Sequence, residues 1–234
     1  MKIDTAVVLA GGAGNRLRPL TEDIPKEMVV IYEKPMLEQI IDWLRDNGVK
    51  EVIIGVAHLK ERIMEYFGNG EPFGVRIKYS IHSVDGGTNE GFLLAISRYV
   101  NAEVFFALNG DQLTNLNLGD VANFHLGHGV IATMVVTNPP CPYGHVQIDD
   151  KSNGVGFLEK SRCVHAFCNT GIYVFNKQIL QYLPEKGNIE ETVFPLLAKK
   201  RQLKAYPFKG LFITVNTYKD LTTAEQELRK WKNK

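Results

Sequence analysis

The sequence predicts an α/β fold: a mixed, mostly parallel sheet flanked by helices in three layers, with a small β lobe later in the chain. Three observations carry that expectation. Short apolar segments alternate with amphipathic ones through the first 111 residues, the signature of βαβ units with helices on both sheet faces. The apolar segments are near-continuous, as strands buried on both faces must be. After residue 130 they shorten, and turn residues separate them.

Residues 5–9 form the first predicted strand, because β-branched and apolar residues fill it and glycines close it. Residues 35–46 are predicted helical. Met36, Leu37, Ile40, Ile41 and Leu44 share one face there, and Asn47-Gly48 supplies the stop. A strand follows at 51–57, a helix at 59–67 and a strand at 76–81. Residues 91–99 read as a helix, and 103–108 as an apolar strand ending in Asn109-Gly110-Asp111. Short strands are then predicted at 130–136, 144–148, 155–159 and 171–175, with 149–154 (DDKSNG) as a hairpin connection. Helices at about 179–183, 189–199 and 218–230 complete the chain. No repeat, low-complexity tract or linker interrupts it, so residues 1–234 read as one domain.

Composition sets further bounds. At 234 residues and 26.3 kDa the chain is long enough to bury a substantial core. Hydrophobic residues make up 44% and charged residues 23%, as in ordinary globular proteins. A net charge of +1 creates no overall attraction to nucleic acid or to an acidic membrane, so any anion site has to be local. No stretch approaches the roughly 18 apolar residues that cross a bilayer, and the first apolar run is too short for a secretory leader. Cys141, Cys163 and Cys168 lack a framework spacing, which favours a reduced, cytoplasmic setting. Cys163-x-His165-x-x-Cys168 has no evident fourth ligand for structural zinc. It reads instead as a loop cysteine and a buried cysteine beside a strand. His125-x-x-His128 reads as a surface pair near a helix end.

Parallel sheets bind ligands at the carboxyl ends of their strands, and two such ends carry chemistry. Gly11, Gly12 and Gly14 permit close backbone approach and expose amide donors. Arg16, Arg18 and Lys26 follow. A guanidinium grips phosphate with two prongs, whereas lysine acts as a mobile point charge. A solvated basic loop is the plainer alternative. No Walker lysine is present, and Leu17 breaks the G-x-G-x-x-G pattern. Asp111, beyond Gly110, suits a magnesium ion carried in with phosphates, or else a turn or cap. Glu159 and Lys160 point to opposite faces of a strand, which makes them poor partners for each other; they serve a ligand or form an exposed strand end.

Together, LAGGAGNRLRPLT and PKEM resemble the signature of the sugar-1-phosphate nucleotidyltransferases, close to LAGG-x-G-T-R-L-x-P-L-T…P-K-P-M. The similarity continues through NGD at 109–111, YGHV at 143–146, FLEK at 157–160, NTGIYVF at 169–175 and VNTYKDL at 215–221. Members have a Rossmann-like core and join a nucleoside triphosphate to a sugar 1-phosphate, releasing pyrophosphate. The resemblance implies a nucleotide bound by Leu9, Ala10, Gly11, Gly12, Gly14, Asn15, Gly87, Thr88 and Asn109, with loop 85–88 against the base. Arg16 would steady the pyrophosphate, Lys26 the α-phosphate, and Asp111 would hold Mg2+. Gly144, Asn169 and Thr170 would line the sugar pocket, Glu159 would bind sugar hydroxyls, and Lys160 the sugar phosphate. Residues from 1 to about 125 would form the nucleotide half, and those from about 126 to 234 the sugar-phosphate half with its acceptor-side β lobe. The implied partners are the two substrates, with no nucleic acid or membrane, and family precedent admits a homo-oligomer.

The chain departs from the family pattern at four places. Asn15 stands for threonine, Glu27 for proline, and Asn89-Glu90 for small residues beside the base loop. Thr214 falls where many relatives carry a second magnesium-binding aspartate, and a hydroxyl is the weaker ligand. A single-aspartate site, substitution by Asp220, or a catalytically weak or inactive nucleotide-sugar-binding regulator would each account for it. A nicotinamide-dependent oxidoreductase is disfavoured, because Gly55-Val56-Ala57 lacks the ribose-binding acid.

Overall fold

A computed structural model describes residues 3–138, 145–158 and 166–232. The order begins with β1 (Thr5–Ala10), β2 (Val30–Ile31), β3 (Lys34–Pro35), α1 (Met36–Asp46), β4 (Glu51–Val56), α2 (Lys60–Phe67) and β5 (Arg76–Ile81). It continues with α3 (Gly87–Tyr99), β6 (Val104–Asn109), β7 (Gln112–Thr114), α4 (Leu118–His128), β8 (Ala132–Thr137), β9 (His145–Ile148) and β10 (Gly154–Leu158). The last elements are β11 (Cys168–Asn176), α5 (Ile189–Lys199), β12 (Leu203–Pro207), β13 (Phe212–Thr214) and α6 (Tyr218–Lys232).

Seven strands form the central sheet in the order β12-β8-β11-β6-β1-β4-β5. β6, β1, β4 and β5 are mutually parallel, and β11 runs antiparallel to both of its neighbours. The strand period of two divides each central strand between two cores. Ala6, Val8 and Ala10 join Val52, Ile54, Phe106 and Leu108 on one face, under Leu37, Ile40, Val121 and Leu228 of α1, α4 and α6. Val7 and Leu9 join Ile53, Phe105 and Ala107 on the other, under Phe92, Ile96, Val193 and Phe194 of α3 and α5. Helices therefore cover both faces, as the continuous apolar strands require. Each fully buried Leu or Ile contributes roughly 1.5–3 kcal/mol of transfer free energy.

Several expectations change. Helix α3 begins at Gly87 rather than residue 91, because Gly87, Thr88 and Asn89 complete its first turn. The helix expected at 179–183 is a short 3-10 segment, Lys177–Gln181. The β lobe shrinks: β8 and β11 join the central sheet, and only β9 and β10 pair apart from it. The small β7–β13 pair was not anticipated. His125 is no surface residue. It is 2% exposed, its Nδ1 lies 2.9 Å from Thr133 Oγ1, and burial pushes its pKa down to about 4. Cys168, expected to be buried, is exposed, and positions 163 and 165 of the same motif lie outside the described residues. No described helix is long and apolar enough to cross a membrane.

Candidate active site

The register of the parallel strands assembles the site. Leu9 of β1 lies opposite Asn109 of β6, and Gly110 N donates to Leu9 O at 2.8 Å. A Cβ at position 110 would approach that oxygen to 2.8 Å, so glycine is what lets the two strand ends meet. Gly11 and Gly12 thus emerge beside Asp111. Gly14 adopts φ +63°, a conformation that favours glycine, and its carbonyl accepts from Leu17 N and Thr21 Oγ1. This turn folds the loop back and brings Lys26 over Asp111.

Lys26 Nζ donates to Asp111 Oδ2 at 2.8 Å, with the two side chains 14% and 17% exposed. Asn216 Oδ1 accepts from Arg16 Nη2 at 2.8 Å and from Lys26 Nζ at 3.4 Å. The β7–β13 pair delivers Asn216 here: Thr214 lies opposite Gln112, and Val215 N donates to Asp111 O at 3.2 Å. Nothing in the local sequence revealed Asn216, since its role depends on contacts 190 and 200 residues away.

A cavity of about 250 Å3 opens between the strand ends, lined by Leu9, Gly11, Gly12, Lys26, Glu27, His82, Val84, Gly87, Thr88, Asn109, Gly110, Asp111 and Asn188. Glu27 is 3% exposed, and burial pushes its carboxyl up to about 7 against the pull of the adjacent Lys26. Glu27 Oε2 and Asp111 Oδ1 are both buried without a hydrogen-bond partner. His82 Nδ1 lies 3.0 Å from Ser83 O and donates to that carbonyl, while the buried Nε2 has no hydrogen-bond partner. His82 was not singled out from the sequence. A larger cavity of about 590 Å3 lies between α1, β7 and α6, but neither the glycine loop nor Asp111 lines it.

Of the expected nucleotide residues, Leu9, Gly11, Gly12, Gly87, Thr88 and Asn109 line the smaller cavity with Lys26 and Asp111. Ala10, Gly14, Asn15 and Arg16 do not. Ala10 is buried within β1, Gly14 shapes the turn, and Asn15 and Arg16 are exposed. Thr88 Oγ1 donates to Glu190 and accepts from Ile189 N. Asn169 Oδ1 accepts from Gly171 N while its Nδ2 donates to Tyr173 Oη. Thr170 is 1% exposed, with its hydroxyl donated to Val135 O, so its side chain ties β11 to β8. Gly144, Glu159 and Lys160 lie outside the described residues.

The departures also resolve. Asn89, expected to alter the base or sugar pocket, is fully buried and donates to Lys186 O and Thr192 Oγ1. Glu90 accepts from Ser83 N and Oγ, bracing the loop that leads into α3. Asp220, the substitute considered for an aspartate at 214, has its Oδ2 engaged: it accepts from Asn216 N and Thr217 N in the capping box that starts α6. Thr214 is exposed on β13.

A family model described as nucleotidyl transferase matches residues 5–231. The chain belongs to the nucleotidyl transferase family. Among curated relatives of this chain is the UTP--glucose-1-phosphate uridylyltransferase of Synechocystis, 35% identical over 211 residues, covering 82% of this chain and 54% of that protein. Another is the mannose-1-phosphate guanylyltransferase catalytic subunit beta of Drosophila pseudoobscura, 34% identical, covering 93% and 60%. The chain thus spans somewhat over half the length of these relatives. HddC from Yersinia pseudotuberculosis, solved complexed with GMP-PN, superposes with a TM-score of 0.76 at 27% identity, covering 97% of this chain and 100% of that one.

Proposed function

We propose that this protein transfers a nucleotidyl group from a nucleoside triphosphate to a sugar 1-phosphate and releases pyrophosphate. The observation that carries the proposal is the meeting of Lys26 and Asp111, 2.8 Å apart, beside a cavity lined by Gly11 and Gly12. Its relatives' names supply the substrate class: UTP with glucose 1-phosphate, and a guanylyl donor with mannose 1-phosphate.

The chemistry suits these residues. A sugar phosphate is already ionised at neutral pH, so its oxygen needs no general base. It attacks the α-phosphorus in line as the bond to pyrophosphate breaks. The barrier lies in charge repulsion and in charge gathering on the leaving group, which positioning and cations relieve. The Gly11–Gly12 backbone receives the nucleotide, Lys26 faces the α-phosphate, and Arg16, steadied by Asn216, turns to the pyrophosphate. Asp111 suits Mg2+, since its Oδ1 is a buried oxygen donor without a partner. The ion, when bound, would neutralise phosphate charge. In the sugar-phosphate half, Glu159 addresses sugar hydroxyls, Lys160 the sugar phosphate, and Gly144, Asn169 and Thr170 the pocket walls; for Thr170 the backbone remains, since its hydroxyl is bonded to Val135. The two halves work as one unit.

Purified protein with Mg2+ and a panel of triphosphates and sugar 1-phosphates tests the reading, through pyrophosphate release. The exposed Thr214, where many relatives carry aspartate, favours a second reading: a nucleotide-sugar-binding regulator without turnover. Nucleotide-sugar binding with no pyrophosphate from any pair would support that reading and defeat the first.

A further inference from the structure

Glu27 follows Lys26 directly and is buried, with Oε2 lacking any hydrogen-bond partner. Its stem lies against Gly110, where a Cβ would stand 3.1 Å from Glu27 Cγ. Its other oxygen, Oε1, is 3.9 Å from where a Gly12 Cβ would stand. The carboxylate is therefore wedged between the glycine loop and the residue before Asp111. Asp111 is half-satisfied in the same way: Oδ2 meets Lys26 Nζ at 2.8 Å, whereas Oδ1 is buried and unpartnered.

Both side chains line the same cavity, and no other carboxylate does so among the described residues. Lys26 Nζ pairs with Asp111, and Glu27 has no salt bridge among the described residues. A carboxylate withdrawn from water is costly to the fold unless a cation compensates it. Two convergent carboxylates with unfilled oxygens offer hard donors, which select a hard divalent cation. No described group gathers three protein ligands. That agrees with the habit of Mg2+ to take one or two carboxylates and complete its shell with water and phosphate oxygens.

We infer that Glu27 is the second carboxylate of a divalent-cation site shared with Asp111. The inference rests on the nucleotidyl-transfer reading for the purpose of the cation, and on the geometry above for its ligands. It joins two departures from the family pattern: the carboxylate absent at Thr214 is supplied from the first loop.

Mn2+ alone is the probe, its free concentration read from its electron paramagnetic resonance signal. The wild-type chain is expected to bind one Mn2+, and Glu27→Gln and Asp111→Asn each to weaken binding by on the order of tenfold or more. Without metal, Glu27→Gln should melt no lower than wild type, because it removes a buried charge; with Mn2+ it should lose the rise in melting temperature that wild type gains. A merely structural role would instead lower the metal-free melting temperature. Should Glu27→Gln not fold, Glu27→Asp takes its place and should weaken Mn2+ binding in the same direction. Wild-type affinity in the folded Glu27 variant, or no Mn2+ binding by wild type at millimolar concentration, overturns the inference. Either result with pyrophosphate release intact leaves nucleotidyl transfer standing. Carboxylate-dependent Mn2+ binding with no release from any substrate pair would do the reverse.

Discussion

Lys26 and Asp111 hold each other in place at 2.8 Å while remaining partly open to the cavity, at 14% and 17% exposure. A pair so enclosed contributes little net stability, because the cost of desolvating both charges offsets their attraction. Its worth lies in presenting charge to a ligand. Lys26→Ala and Asp111→Ala are each expected to lower the rate of pyrophosphate release by about 100-fold or more, the scale of a lost transition-state charge contact. Lys26→Ala should also lower the unfolding midpoint, since it leaves Asp111 and the buried Glu27 without their cation. Steady-state kinetics paired with urea unfolding separates the two effects. Gly110→Ala makes the opposite kind of perturbation. Its Cβ would meet Leu9 O at 2.8 Å, so the β1 and β6 ends must part. A loss of about 1–3 kcal/mol in unfolding free energy is expected, together with weaker nucleotide binding, readable by calorimetry.

At the scale of elements, α4 and β8 are joined through a buried neutral histidine. Burial holds His125 at about 4, below its ordinary 6.5, with His128 pushing in the same direction. Between these values the unfolded chain binds more protons than the folded one, so stability is whole above pH 6.5 and drains away as pH falls toward 4. The full loss is about 3 kcal/mol. Urea unfolding of wild type and His125→Gln across pH 7.5–4.5 checks this; the wild-type curve should be the steeper. The same element shows how a helix-end spacing imitates a surface pair. In the sequence, positions 125 and 128 share a helical face, but only the β8 partner Thr133 reveals that 125 points inward.

Across the whole molecule, what was readable from the sequence is what local patterns encode. The continuous runs at 5–9 and 103–108 announced two-faced burial, and the 3.6-residue spacing of Met36, Leu37, Ile40, Ile41 and Leu44 announced α1. The glycine loop and the 109–111 end were placed together because parallel strands deliver their carboxyl ends to one edge. What escaped depends on distant partners. The three-residue strands β7 and β13 have too few residues to show a period, yet their pairing carries Asn216 to Arg16 and Lys26. Glycines at 86 and 87 masked the start of α3, whose first turn is held by the 186–192 segment through Asn89 and Thr88. Glu27 stands out locally only as an irregularity of the loop, whereas its burial against Gly110 follows from the assembled sheet.

The most direct test of nucleotidyl transfer is pyrophosphate release by the purified chain in Mg2+, with UTP and GTP each offered glucose 1-phosphate and mannose 1-phosphate. At least one pair is expected to yield pyrophosphate and nucleoside-diphosphate sugar in equal amounts, with the yield falling away in Lys26→Ala. No release from any pair, or release undiminished in both Lys26→Ala and Asp111→Ala, would contradict the account.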